Sequence, residues 1–254
     1  MDIPSLFMIP SAVSSGKVHS VFPNSTDADF DFNRDSDATR VNSEGLIERV
    51  GYYSAELITP ESNLTLKNVG INPTRTALLE VLQGMGANIK LFNVIDEYEP
   101  SADLQIKFSK LKGIELDPKL IPNLIDELPV LFVAASLAEG KTKIRGAEEL
   151  RAKESDRLEA MSNSLNRLGV SFDECADGID IQGLNQEYYS SNRNLPFKAA
   201  IINSFDDHRI AMASAIACTR APNESKVEDV DNVITSFPNF LDTCRRIGME
   251  IDNS

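Results

Sequence analysis

The sequence has no tryptophan, two histidines and three cysteines in 254 residues. Cys175, Cys218 and Cys244 form no CxxC pair, and His19 and His208 lie far apart. That spacing excludes a structural zinc site and a disulfide framework, so reduced thiols and a cytoplasmic location are expected. Long hydrophobic runs are missing too. No stretch reaches the ~18 apolar residues of a membrane span. The opening "MDIPSLFMIPSAVSS" lacks the basic and apolar regions of a signal peptide. Positive charge is scarce: 25 Lys and Arg face 39 Asp and Glu, for a net charge of −14 and a pI of about 4.6. So acidic a chain repels phosphate backbones at long range, which argues against a nucleic-acid partner. A small anionic ligand stays possible, because a few local cations outweigh a distant field. Apolar residues make up 42%, enough for one large domain or two small ones.

Two unlike parts follow. Residues 1–55 are rich in Ser, Asn and Asp without a sustained helical period. They read as an irregular segment of turns and short strands, loosely ordered or docked on something else. Residues 56–254 repeat a pattern. "LTLKNVGINPTRTALLEVLQGMGANI", "TKIRGAEELRAKESDRLEAMSNSLNRLGVSF" and "SKVEDVDNVITSFPNFLDTCRRIGMEI" each run strand, loop, amphipathic helix, glycine, strand. Gly86, Gly169 and Gly248 close the helices at intervals of about 80 residues, where a positive φ costs glycine nothing. A second helix, apolar and Ala-rich, recurs in "LIDELPVLFVAASLAEG" and "SFDDHRIAMASAIACTRA", opened by Asp126 and Asp207. The stretch before "ITPESNLTLKNVG" is too short and too polar for that helix. The first unit is therefore expected to be incomplete, leaving apolar faces of "LLEVL" or "LFVAA" exposed for self-association.

The densest chemistry is "RAKESDR". Ser155 suits a helix N-cap and Asp156 the positive end of the helix dipole, whereas a cation at Arg157 does not. Two arrangements are open. Lys153 and Arg157 turn to an anion at the helix start, or Arg157 pairs with Glu154 or Asp156 in a surface cluster. "SFDDHRIAM" repeats the misplacement with Arg209, whose fork matches a carboxylate. Here too a structural pair of Asp207 with Arg209 or His208 is the alternative. Asp126 is either a helix cap or a group that takes a proton or binds hydroxyls. Glu154 is the other candidate acid or base. Arg75 reads as a structural pair or a surface residue.

"GAEELRAKESDRLEAM" and "FDDHRIAMASAIA" resemble the signature regions of the EPSP synthase family, and the likeness runs over residues 56–251. The resemblance implies an α/β domain of three βαβαββ units about a pseudo-threefold axis. It implies a transferase of the shikimate pathway, on the route to aromatic amino acids. The 5-hydroxyl of shikimate 3-phosphate adds to C2 of phosphoenolpyruvate as C3 is protonated, and the tetrahedral intermediate then loses phosphate, with no metal or organic cofactor. Carried over, Asp126 holds the shikimate hydroxyls, Lys153 contacts substrate and Glu154 is the acid beside the methylene. Arg157 and Arg209 hold phosphoenolpyruvate, with Asp207 and His208 beside Arg209. Where some members carry a lysine, this chain has Thr235. The family cleft lies between two domains, and this sequence carries the motifs of one, so weak activity or none is expected of it alone. Residues 1–53 resemble a segment near the start of phage tail or virion proteins. Two other readings follow: an enolpyruvyl transferase acting on UDP-N-acetylglucosamine, against which "KESDR" speaks, and a non-enzymatic phage protein carrying a captured domain.

Overall fold

The structure, a computed structural model, describes residues 5–8, 29–31, 57–59, 62–96, 100–184, 195–246, 249 and 251–253. Its strands are β1 (Ser5–Met8), β2 (Asp29–Asp31), β3 (Asn63–Gly70), β4 (Asn88–Ile95), β5 (Ser101–Lys107), β6 (Lys141–Ile144), β7 (Ser171–Cys175), β8 (Gly178–Gln182), β9 (Ile201–Asn203), β10 (Ser225–Glu228) and β11 (Ile251–Asn253). Its helices are α1 (Ala77–Gly84), α2 (Ile121–Leu124), α3 (Leu128–Ser136), α4 (Arg157–Leu168), α5 (His208–Cys218), α6 (Asp231–Ser236) and α7 (Phe240–Arg246). Gly248, one of the three repeat glycines, lies outside the described residues.

Three sheets share one plan. Their strand orders are β2-β3-β5-β4, β6-β8-β7 and β9-β10-β1-β11. In the first two, the last strand of a unit slots antiparallel between the two before it. A parallel neighbour flanks each sheet: β2 beside β3, β9 beside β10, and bridges from Lys112 and Glu115 beside β6. The third sheet keeps this plan with a substitution. The middle place is filled by β1, antiparallel to both β10 and β11. The chain from β9 onward therefore needs a strand from its own far beginning. Shortly before β3, Leu57 and Ile58 are helical, at the place where the other units have α3 and α5.

All nine residues of α3 are buried. A helix apolar all round must sit inside, and α3 packs against α4 and α5. Small residues let those helices approach closely: Ser214 on α5 meets Ser164 on α4 with 3.4 Å between hydroxyls. Each large apolar side chain buried here contributes about 1.5–3 kcal/mol. Gly169 ends α4 with φ 84°, as its spacing predicts.

The expectation that "LLEVL" or "LFVAA" leaves an apolar face bare is corrected. Leu78, Leu79, Val81 and Leu82 are buried, and residues 131–135 are fully so. The core formed by α2, the first sheet and the neighbouring units covers them. Large apolar side chains are exposed instead on the edge strand β4, at Leu91, Phe92, Val94 and Ile95, and singly at Ile201, Phe205 and Ile234.

Candidate active site

The starts of α4 and α5 face each other, and each is built by its own loop. The N-cap of α4 is Asp156, whose Oδ1 accepts the Glu159 N–H at 2.9 Å. Its Oδ2 takes Arg151 at 3.0 Å, and Arg151 also grips Glu174 and the Cys175 carbonyl, both at 2.8 Å. The loop is thus clamped to the β7–β8 hairpin. Ser155, expected as the cap, lies one residue too early and donates instead to Asp207 Oδ2 at 3.1 Å.

At α5 the cap is Asp207, whose Oδ1 accepts from the Arg209 N–H at 2.9 Å and from Ile210 at 3.4 Å. Two successive left-handed residues, Phe205 (φ 55°) and Asp206 (φ 58°), turn the chain into that cap. Such residues cost about 1–2 kcal/mol each. Local bonds hold them: Asn203 Oδ1 accepts the Phe205 N–H at 2.6 Å, and Asn232 donates to the Asp206 carbonyl at 2.7 Å.

Arg157 lies between these loops and is 1% exposed. Its Nε donates to Asp207 Oδ2 at 2.7 Å, its Nη1 to Asp126 Oδ1 at 3.1 Å, and its Nη2 to Glu154. Of the two arrangements left open, pairing with Glu154 is therefore realised for Arg157, and pairing with Asp156 is not. Burial acts to raise the Asp207 pKa, but the Arg157 hydrogen bond and charge, with the Arg209 N–H and Ser155, hold it below the ordinary carboxylate range.

Arg209 reaches the same centre from the other helix. Its Nη2 lies 3.3 Å from Asp126 Oδ2, and its Nη1 donates to the Asp126 carbonyl at 3.3 Å. The two arginines thus hold one carboxylate, one on each oxygen. Burial pulls the Arg209 pKa down, opposed mainly by Asp126. Asp126 caps no helix. It sits in the turn between α2 and α3, and the cap position of α3 falls to Glu127, whose side chain makes no capping bond.

Five of the residues singled out from sequence thus meet: Asp126, Glu154, Arg157, Asp207 and Arg209. Lys153 turns away to pair with Glu149. His208 is half-buried beside the cluster; burial first, then the charge of Arg209, lowers its pKa. Sequence reasoning passed over Glu127, which is 4% exposed. Burial pushes its carboxyl up to about 7. The available signal was a second acid, next to Asp126, entering an all-apolar helix. Arg75, read as structural or superficial, is exposed and lines a cleft of about 300 Å³ with Asn123, Asp126 and Glu127.

The architecture is that of enolpyruvyl transferases. The enolpyruvyl transferase NikO from Streptomyces tendae shares the fold at a TM-score of 0.61 and 15% identity, over 82% of this chain and 44% of that one. An EPSP synthase from Acinetobacter baumannii superposes with a TM-score of 0.78 at 38% identity, over 82% of this chain and 47% of that structure. The family model for EPSP synthase (3-phosphoshikimate 1-carboxyvinyltransferase) matches residues 45–244, and the chain belongs to that family. Among its relatives, the 3-phosphoshikimate 1-carboxyvinyltransferase of Magnetococcus marinus is 46% identical over 200 residues, 78% of this chain and 43% of the relative. That of Legionella pneumophila strain Lens is 42% identical over 225 residues, 87% and 49% respectively. The chain spans somewhat less than half the length of these relatives.

Proposed function

We propose that the α4–α5 cluster is one wall of an enolpyruvyl-transfer site that takes phosphoenolpyruvate and shikimate 3-phosphate. Asp126 holds the shikimate hydroxyls, and Glu154, the most exposed acid of the cluster, delivers the proton to C3 of phosphoenolpyruvate. Arg209 grips the phosphoenolpyruvate carboxylate, with Arg157 fixing the carboxylates around it. Lys153 swings from Glu149 to contact substrate, and Asp207 and His208 hold the start of α5 in place. The reaction joins the 5-hydroxyl oxygen of shikimate 3-phosphate to C2 as the hydroxyl proton leaves and C3 gains a proton; C3 then gives up a proton as phosphate leaves C2, which restores the C=C bond in the enolpyruvyl product. Charge clamps and positioned acids suffice for this chemistry when water is excluded. The observation that carries the reading is the grip of Arg157 and Arg209, from two helix starts, on the two oxygens of Asp126.

Residues 56–254 act as the domain that supplies this wall, and a second domain is needed to close it, so the chain alone turns over weakly or not at all. The cytoplasm, where phosphoenolpyruvate is made and thiols stay reduced, is the location that fits. The test is phosphate release from phosphoenolpyruvate plus shikimate 3-phosphate, with calorimetric binding of phosphoenolpyruvate to the chain. Binding without appreciable turnover is expected. Full turnover by the chain alone would refute the one-wall reading, and no binding at millimolar phosphoenolpyruvate would refute the site.

A further inference from the structure

Glu127 is an unusual acid. It is 4% exposed, and among the described residues its carboxylate accepts no hydrogen bond. It begins an apolar helix yet caps nothing. Its side chain helps line the cleft that Arg75 and Asp126 border. The charges that reach it come from three elements: Arg209 on α5, Asp126 in the preceding turn, and Arg75 in the turn before α1. The residue is buried, but its carboxylate opens on the cleft, so its charge bears on whatever lies there, Asp126 included.

We propose that Glu127 is a positioning residue whose charge decides how firmly Arg209 is held at the Asp126 turn, and so how readily Arg209 turns to an anionic ligand. Arg209 is held by the Asp126 carboxylate and carbonyl. An ionised Glu127 adds a second carboxylate pulling Arg209 inward and repels an anion entering the cleft. A neutral Glu127 does neither. Burial brings the change of charge to about pH 7, with Arg209 acting to lower it, Asp126 to raise it and Arg75 to lower it. Glu127 thus loosens Arg209 as pH falls through neutrality. The inference rests on the anion-binding reading above.

Two measurements on the full chain test it. The first follows the Arg209 side-chain nitrogen and the glutamate carboxyl carbons by NMR against pH. The Glu127 carboxyl, identified by its loss in Glu127→Gln, is expected to titrate near 7. The Arg209 signal should show a step with the same midpoint in the wild type and lose that step in the variant, any step from the neighbouring His208 being common to both. A stationary Arg209 signal, or a Glu127 carboxyl in the ordinary range, overturns the proposal whether or not any ligand binds. The second compares phosphoenolpyruvate affinity of the wild type and Glu127→Gln, so that the ligand's own phosphate ionisation cancels. The dissociation constants should agree at pH 6, with the wild type about three- to tenfold weaker at pH 8.5. A constant ratio overturns the ligand half of the proposal. Absence of binding in both proteins, with the NMR coupling intact, retires the function proposed above along with that half.

Discussion

Arg157 and Arg209 occupy matching places, each in the first turn of a buried helix, yet their surroundings differ. Arg157 is 1% exposed and touches three carboxylates. Arg209 has a side chain 16% exposed and, among the described residues, pairs with one carboxylate, that of Asp126. The first is spent on the protein's own acids and fixes where they stand. The second is tied at one point and still borders the open side. A repeated motif has thus divided its labour: one copy builds the frame and the other is placed to meet a ligand.

The largest effect should come from removing the frame. Arg157→Ala leaves Asp207 buried and unpaired, so unfolding free energy should fall by about 3–5 kcal/mol in urea titrations. The double variant Arg157→Met with Asp207→Leu should recover much of that loss, because it removes both charges together. If the single variant proves as stable as the wild type, the contrast between the two arginines disappears.

Acid should expose the same frame. The Asp207 pKa is depressed in the fold. Its contribution is fully present above the ordinary aspartate pKa and is lost as pH falls through the folded value. Thermal melts should show this loss beginning below about pH 4 and absent in Asp207→Asn. Glu127 works in the opposite sense. Its raised pKa makes the fold lose stability as pH rises from the ordinary glutamate range through about 7, and Glu127→Gln should flatten that slope.

Arg209→Ala sharpens the comparison from the other side. Stability should change by about 1 kcal/mol or less, since its pairing is partly exposed. Affinity for phosphoenolpyruvate should drop at least about tenfold, as expected when a charge-assisted contact is lost. Smallest of all, Val94→Lys on β4 should leave stability nearly unchanged and lower the binding of a hydrophobic dye.

Local signals in the sequence carried well. The periodicity located α4 and α5, Gly169 marked an end, and Asp207 was readable as a cap. The nearness of Arg157 and Arg209 was readable because arginine in a first helical turn contradicts the dipole, and Asp126 joined them through the family resemblance. What escaped depended on distance or depth. Ser155 and Asp156 are both good caps, and only the backbone path chooses between them. The depth of Arg157 and Glu127 follows from how α3, α4 and α5 pack, which no window of residues encodes. The β1 pairing escaped for a related reason: four residues have no signature of their own, and their partners β10 and β11 lie at the other end of the chain.

That pairing has a consequence for how the molecule comes into being. As the chain is synthesised, β1 (Ser5–Met8) emerges long before its partner β11 (Ile251–Asn253). The first two sheets can assemble from residues nearer in sequence while translation continues, but the third must wait, its strand β1 kept without these hydrogen-bonding neighbours until β10 and β11 exist. Late closure between distant segments is slow, and a waiting strand is open to the wrong partner. Newly made protein should therefore be most vulnerable at β1.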